Sequence, residues 1–318
     1  MNVFGVALTN EAPSSNNRGE NQENYLPLQH ITIGDKIHSV VTSVSIRNRL
    51  RDVLALNFIM NRSRHQLPDN PQPCVKYSGL INPNKFLDDA IFGYVVAEKK
   101  KESKSKTSKE EDAPRLREPD APISKKSLLL VNHAVSLYET PHDTLLQQYP
   151  RQERDWIESK KSKSAKKKAD TENEDEGTAQ VQGGLLTVEV HYTSYQFPFG
   201  LERVETWNND DWIKGVLNAI GQLGQVAGNH SRTFFDFSPK SLVVRVTDAP
   251  APQFNLYGFQ KDGTCPSILD AIRSSKKEEF WVTKDVLAGV EEAALKGMHI
   301  CESPAELLAD VGNVVCKK

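Results

Sequence analysis

Cysteine is scarce in this sequence and widely scattered. The 318 residues include four cysteines and no CxxC pair: Cys74, Cys265, Cys301 and Cys316. Isolated thiols are typical of proteins in a reducing compartment, whereas small secreted proteins carry denser, paired cysteines. We therefore expect a cytoplasmic protein without a disulfide framework.

Long hydrophobic runs are also absent. No segment approaches the ~18 consecutive apolar residues of a membrane-spanning helix. The first residues, MNVFGVALTNEAP, lack the basic start and the long apolar stretch of a secretion signal. Hydrophobic residues make up 38% of the chain and charged residues 26%, which is a globular composition diluted by polar segments. We expect neither secretion nor a membrane partner.

Catalytic signatures are missing as well. None of the 8 histidines stands four residues from another, which excludes the HxxxH pair of a helical metal site. The sequence has no GxGxxG, P-loop or GxSxG motif, and no cysteine adjoins a histidine. Asp88 and Asp89 are adjacent carboxylates that suit metal or acid–base chemistry, or a turn at the entrance to a strand. We expect a protein that is not an enzyme and that uses no metal or cofactor.

The charge distribution is uneven, although the formal net charge is only −2. A lysine cluster followed by an acidic cluster occurs twice, in EKKKESKSKTSKEED (98–112) and ESKKSKSAKKKADTENEDE (158–176). Such segments bury no apolar surface, so we expect charged insertions there. This composition excludes a uniformly basic nucleic-acid binder, but it allows a local basic surface.

The most informative local pattern is a basic amphipathic helix in VTSVSIRNRLRD (41–52). Its apolar residues share one face: Ile46, Leu50, Val53 and Leu54. Arg47 and Arg51 lie together on the flank of the helix, while Arg49 points elsewhere. Ser43 is placed to cap the helix start, where free backbone N–H groups favour a phosphate. The flank is therefore either a solvated helix edge or a phosphate-binding surface.

Apolar periodicity predicts the remaining elements. Strands are expected at 2–9, 90–98, 127–137, 185–199 and 241–247, and helices at 209–228, 266–274, 284–296 and 303–311. This order matches the α+β plan of the ferredoxin-like fold and of the RNA-recognition motif. We expect an RNA-recognition-like palm over residues 1–260, with insertions at about 98–126 and 139–184. Residues 261–318 would form a C-terminal extension packed on the palm.

A second polar cluster lies in the segment AGNHSRTFFDF (227–237). Four adjacent residues there offer an amide, an imidazole, a hydroxyl and a guanidinium: Asn229, His230, Ser231 and Arg232. These groups suit a ribose–phosphate backbone. The alternative is a helix C-cap in which Arg232 pairs with Asp236. Phe234 and Phe235, which follow, favour the core over stacking on a base.

Three motifs in this order resemble one protein family: VTSVSIRNRLRD (41–52), LDDAIFGYVVA (87–97) and GNHSRTFFDFSPKSLVVRV (228–246). The family is the repeated backbone subunit of type I CRISPR effector (Cascade) complexes, the seventh Cas family, in its DevR-like branch. The resemblance covers the core from residue 2 to about 250, apart from the charged insertions. One departure is Val44, where many members of the family have a glutamine.

The resemblance implies an RNA-recognition-like palm with finger-like and thumb-like insertions. Copies would stack head to tail along a CRISPR guide RNA, next to other Cascade subunits, and hold the guide for pairing with target DNA. The RNA-binding residues that we predict are Arg18, His38, Thr42, Ser43, Arg47, Arg51, Asn229, His230, Ser231 and Arg232. Two alternatives stay open: a metal-dependent RNA-cleaving subunit of the type III kind using Asp88 or Asp89, and a general single-stranded RNA-binding protein.

Overall fold

The computed structural model describes residues 1–16, 25–66, 73–96, 116–141, 143–149, 184–207, 209–227, 233–274, 276–291 and 295–316. This part of the chain is a mixed α+β fold. The described helices are α1 (Ser43–Leu54), α2 (Leu87–Ile91), α3 (Asp210–Gly221), α4 (Ser267–Ser274) and α5 (Pro304–Val315). None of them is long and apolar enough to span a membrane.

The described strands are short, and most of them belong to one large sheet. They are β1 (Asn2–Thr9), β2 (Ala12–Ser14), β3 (Tyr25–Leu26), β4 (His30–Ile33), β5 (Lys36–Val41), β6 (Arg62–Gln66), β7 (Pro73–Tyr77), β8 (Tyr94–Val95), β9 (Ser124–Lys125), β10 (Leu129–Val131), β11 (Ala134–Ser136), β12 (Asp143–Tyr149), β13 (Gly184–Thr193), β14 (Tyr195–Leu201), β15 (Pro239–Thr247), β16 (Phe280–Thr283) and β17 (His299–Cys301).

The central sheet has nine strands, in the order β17-β16-β15-β1-β14-β11-β5-β4, and β10 also pairs with β14. Strand β1 lies in its middle and runs antiparallel to both β14 and β15. A second sheet combines β12, β13, β2 and β3. Strands β6 and β7 form a separate antiparallel pair, and so do β8 and β9.

The two faces of the central sheet have separate hydrophobic cores. Val3 and Ala7 of β1 face the core that contains α1, α3 and α5, whereas Val6 and Leu8 face the core that contains α4. This alternation is the period-two pattern expected of a strand buried on both faces. Because α1 lies on a buried sheet, the positions of its flanking side chains are fixed by the packing of its apolar face.

Several predicted elements are confirmed, with shifted ends. The strand at 2–9 matches β1, and the strand at 241–247 is the end of β15. The helix predicted at 209–228 begins after its cap, Asn209, and ends at Gly221. The helices near 266–274 and 303–311 correspond to α4 and α5.

Two predicted elements are wrong. Residues 87–91 form helix α2, and only Tyr94–Val95 of the predicted strand at 90–98 is a strand. Gly93 separates the two elements with φ at 71°, and a Cβ there would lie 2.6 Å from the carbonyl oxygen of Lys125. The helix predicted at 284–296 is wrong over residues 284–291, where Lys284–Leu287 is a 3-10 turn; Leu295 is helical, and residues 292–294 lie outside the described residues.

Candidate nucleic-acid interface

The start of α1 is the first part of the candidate site. Thr42 is its N-cap, and its Oγ1 accepts a hydrogen bond from the backbone N–H of Ser45 at 3.4 Å. The prediction of Ser43 as the cap is therefore wrong by one residue, because Ser43 is the first helical residue. The first turn contains no acidic residue, so no carboxylate offsets the positive end of the helix dipole.

A histidine and a tyrosine lie beside this helix start, and neither was predicted from the sequence to belong to the site. The backbone N–H of Ser43 donates to Nδ1 of His133 at 3.0 Å. The hydroxyl of Tyr257 donates to the carbonyl oxygen of His133 at 2.8 Å, and burial raises the pKa of Tyr257 to about 12. Neither residue belongs to a local basic motif, so only the fold brings them to α1.

His38 lies on β5, the strand that leads directly into Thr42 and α1. Its Nδ1 is 2.8 Å from the carbonyl oxygen of Ser136 on β11, and the side chain is half-buried. The structure thus places His38, Thr42 and Ser43 along one continuous stretch of chain. Their contact with RNA stays a prediction.

Arg47 turns inward from the flank of α1. Its Nη1 donates to the carbonyl oxygen of Leu129 at 2.6 Å, and its Nη2 donates to that of Phe92 at 2.8 Å. Both nitrogens also lie 3.2 Å from Oγ of Ser127. Burial, and secondarily the charge of Arg62, lowers the pKa of Arg47. Both terminal nitrogens therefore have protein acceptors, and a phosphate at Arg47 stays a prediction.

Arg51, one turn further along α1, has far fewer acceptors. Its Nη1 reaches Oδ1 of Asn48 at 3.4 Å, and its guanidinium carbon lies 4.3 Å from the centre of the Phe92 ring. Its Nε is buried without a hydrogen-bond partner among the described residues. Burial, followed by the charges of Arg62 and Arg47, lowers its pKa to about 10. Among the described residues, Arg51 is therefore the member of the predicted arginine pair with a single, long side-chain acceptor and an unpaired Nε.

Arg49, whose direction the helical wheel left unassigned, points toward α3. Its Nε donates to the carbonyl oxygen of Leu223 at 2.9 Å, just beyond the end of α3. This bond supplies a donor to a backbone carbonyl in the chain that follows the C-cap of α3, Gln222. Arg49 therefore joins two helices of the core.

Asp88 and Asp89 lie within α2 and not at the strand entrance that was predicted. Both side chains are fully buried. Asp88 accepts hydrogen bonds from the backbone N–H groups of Asn61 and Arg62 at 2.8 and 2.9 Å. Asp89 accepts from the side-chain amide of Asn61 at 2.8 Å and from the N–H of Asn82 at 3.0 Å, and burial raises its pKa. The pair holds the start of β6 against α2.

Two further arginines near α1, Arg62 and Arg64 on β6, were not predicted from the sequence. They stand two residues apart, so they share one face of the strand. A period-two search for basic residues in the segment RSRH (62–65) would have found them. With Arg51 and Asn48, they line a cavity of about 510 Å³ between α1 and β6.

Half of the predicted site residues cannot be placed in the fold. Arg18, Asn229, His230, Ser231 and Arg232 lie outside the described residues. The alternative partner of Arg232, Asp236, accepts hydrogen bonds from the N–H and the hydroxyl of Ser238. Phe235 is buried in the core as expected, whereas Phe234 is 70% exposed, so its predicted burial is wrong.

Below this surface lies a buried polar network. The Tyr195 hydroxyl lies 2.7 Å from the hydroxyl of Ser14 and 2.9 Å from that of Ser39, and Ser39 lies 2.8 Å from Nδ1 of His191. His191 is 1% exposed, and burial lowers its pKa to about 4. The described residues contain no group of three or more side chains suited to hold a metal ion. The network joins β2, β5, β13 and β14.

Arg47→Ala should lower the free energy of unfolding by about 2–3 kcal/mol, because it removes the guanidinium donor of the Phe92 carbonyl and one of the two side-chain donors of the Leu129 carbonyl, the other being the Ser127 hydroxyl. Urea denaturation without RNA measures this loss. Arg273→Ala is the control, since its side chain is 79% exposed, and it should change stability by less than about 0.5 kcal/mol. Equal stabilities of the Arg47 variant and the wild type would contradict a structural role for Arg47.

His191 should make the fold sensitive to acid. Its pKa is about 4 in the folded chain and 6.5 ordinarily, so between these values only the unfolded chain binds the proton. Its contribution is therefore complete above pH 6.5 and is lost as the pH falls toward 4. We expect a loss of about 2–3 kcal/mol over this window, which urea denaturation measures. His191→Gln should flatten the decline, and the same slope in both proteins would contradict the assignment.

Comparison with known proteins identifies relatives of this chain. No family model matches it. It is 28% identical over 264 residues to a "CRISPR-associated protein Cas7/Cst2/DevR" from Myxococcus xanthus (strain DK1622), which covers 82% of this chain and 76% of that protein.

Solved structures share its fold at low sequence identity. A chain of a "CRISPR RNA-guided surveillance complex, pre-nicking" matches 99% of this chain and 100% of its own, with a TM-score of 0.60 and 11% identity. A chain of a "CRISPR RNA-guided surveillance complex" matches 99% of both chains, with a TM-score of 0.53 and 14% identity. The chain is thus a sequence relative of a Cas7/Cst2/DevR protein and has the fold of chains in CRISPR surveillance complexes, which confirms the resemblance drawn from its three motifs.

Proposed function

We propose that this chain is a non-catalytic backbone subunit of a CRISPR Cascade complex. It binds the sugar–phosphate backbone of a guide RNA, polymerises along it, and supports RNA-guided binding of target DNA. The observation that carries the proposal is the surface of α1: a helix start without acidic residues, followed on one flank by arginines, in a chain of net charge −2. The relative and the fold neighbours support it.

The start of α1 suits a phosphate group for two reasons. Backbone N–H groups at a helix start can donate to an anion, and the helix dipole favours negative charge there. In α1 the N–H groups of Ser43 and Ser45 donate to His133 and Thr42, which leaves that of Val44 in the first turn. Thr42 and Ser43 add hydroxyl groups at this end of the helix, and His38 lies on the strand that precedes it. Contacts of this kind recognise a nucleic-acid backbone without reading its bases. That is sufficient when base pairing supplies the sequence specificity.

The strand order supports an RNA-recognition-like palm. Along the chain the four strands come in the order β1, β11, β14, β15, whereas in the sheet they lie in the order β15, β1, β14, β11. This is the strand order expected of a ferredoxin-like unit, in which the fourth strand lies next to the first. Helices α1 and α3 pack on one face of this unit. We propose that residues 1–260 form the palm, that β12 and β13 belong to an insertion, and that residues 261–318 extend the palm through β16 and β17.

Binding without cleavage fits the position of the carboxylates better than nuclease activity does. A metal-dependent cleavage site needs accessible carboxylate oxygens that can hold a metal ion near the RNA. Asp88 and Asp89 are fully buried, and both accept hydrogen bonds from the protein.

In the proposed filament, copies stack head to tail, so a few cations in each copy are repeated along the guide.

A binding and assembly experiment tests the proposed function. The purified chain is mixed with repeat-derived RNA transcripts of increasing length and with shuffled RNA of the same lengths, in the presence of Mg²⁺. We expect binding to both kinds of RNA, sedimentation coefficients that rise stepwise with RNA length, and RNA of unchanged length. RNA that stays unbound, or complexes whose size does not follow RNA length, would contradict the proposal, and shortened RNA would favour the nuclease alternative.

Val44→Glu should change the stability of α1 and its affinity for RNA in opposite directions. Val44 is 60% exposed in the first turn, so a carboxylate there should stabilise the helix by about 0.3–1 kcal/mol. The same charge should repel RNA and weaken its binding at low salt by about 3- to 10-fold. Fluorescence anisotropy with labelled RNA and thermal unfolding measure the two effects.

Val44→Gln is the matched control, because it has nearly the same shape as glutamate without the charge. We expect it to bind RNA at least as well as the wild type. If the glutamate and glutamine variants bind RNA with equal affinity, the start of α1 is not part of the RNA-binding surface.

A further inference from the structure

The cavity between α1 and the β6–β7 pair has two kinds of lining. Its volume is about 510 Å³. Arg51 of α1 and Arg62 and Arg64 of β6 line it with guanidinium groups, and Phe58 and Met60 add apolar surface. Three cations around one concave, partly apolar space are unusual unless anions offset them. The cavity therefore raises the question of which acceptors its arginines bind.

Arg62 already has acceptors within the protein. Its Nε lies 3.3 Å from Oδ2 of the buried Asp88. Its Nη2 donates to the carbonyl oxygens of Asp88 and Gly93 at 2.9 and 3.1 Å. These bonds fix Arg62 in the wall of the cavity and neutralise most of its charge. Arg62 is thus a structural part of the cavity and not a ligand.

Within the described residues, Arg51 and Arg64 have no carboxylate or carbonyl acceptor of this kind. Nε of Arg51 is buried with no hydrogen-bond partner among the described residues, and its one side-chain acceptor is Asn48, at 3.4 Å. Arg64 is exposed and forms no ion pair within the described part of the chain. The carboxylate among the residues that line the cavity is Asp52, which is exposed. Among the described residues, the cavity therefore holds two guanidinium groups with donors that have no acceptor.

The electrostatics of Arg51 agree with this geometry. Burial is the largest cause of its lowered pKa, and the charges of Arg62, Arg47 and Arg64 lower it further, while Asp88 opposes them. An anion in the cavity would offset this excess of positive charge. A guanidinium donates in a fork that matches the oxygens of a phosphate group.

We infer that this cavity binds one phosphodiester group of a nucleic-acid strand, with Arg51 and Arg64 as its ligands. The inference rests on the proposed function: Arg51 is already among the predicted RNA-binding residues, and what is added is Arg64 and the cavity that the two line, apart from the start of α1. Thr42 and Arg51 are nine residues apart, so the two sites are about 13 Å apart along the helix. A strand that follows α1 would thus meet both sites, with a sugar against Phe58 and Met60.

The same chemistry has two sources, because guide RNA and target DNA both carry phosphodiester groups. The test therefore has two arms: labelled RNA alone, and the same RNA paired with a complementary DNA strand. A loss of affinity that appears with RNA alone assigns the site to the guide. A loss that appears only with the paired DNA assigns it to the target strand, and either result supports the site.

The variant to test is Arg64→Ala, because an exposed side chain can be removed without unfolding the protein. Affinity should fall by about tenfold at low salt, and the slope of log affinity against log salt should fall by about 0.7 for each lost contact. Arg273→Ala, on α4 at the opposite face of the sheet, is the matched control and should change neither value.

Combining Arg64→Ala with Val44→Glu tests whether the sites are separate. Losses at separate phosphates should add, whereas losses at one shared phosphate should not. If the wild type binds nucleic acid and Arg64→Ala leaves affinity and salt slope unchanged in both arms, the inference is wrong and the proposed function stands. If the wild type binds neither RNA nor paired DNA, the proposed function itself fails.

Discussion

The packing of α1 on the central sheet is the constraint on which the rest of the candidate site depends. Ile46, Leu50 and Leu54 are at most 2% exposed, and Val53 is 8% exposed. Burying each of these side chains contributes about 1.5–3 kcal/mol. The helix therefore cannot turn about its axis without losing much of the core. One flank therefore always faces the end of α2 and β10, where Arg47 donates to Phe92 and Leu129.

This fixed orientation gives the arginines of the region different roles although they are the same residue type. Arg47 meets backbone carbonyl groups and becomes part of the structure. Arg62 meets the buried carboxylate of Asp88, which removes the need for an external anion. Among the described residues Arg51 contacts neither kind of group, and its buried Nε has no hydrogen-bond partner. Burying a charge without acceptors is costly, and a phosphate group bound at Arg51 would offset that cost. Arg64 is exposed and lines the same cavity, where it can donate to the same group.

Local sequence patterns predicted those features that depend on neighbouring residues. The 3.6-residue period identified the buried face of α1, and alternation identified β1. Partners far apart in sequence could not be predicted in this way, since the acceptor of Arg47 at Leu129 is 82 residues away. The role of Asp88 depends likewise on Asn61, 27 residues away. The helical α2 was missed because five residues are too few to show a period.

The central claim is that this chain holds the backbone of a guide RNA. Sequencing the RNA that co-purifies with it, from cells that transcribe a CRISPR repeat array, tests this claim most directly. We expect repeat-derived guides to dominate the bound RNA and their length to match the size of the complex. A mixture of unrelated cellular transcripts, or a purified protein that carries no RNA, would contradict it.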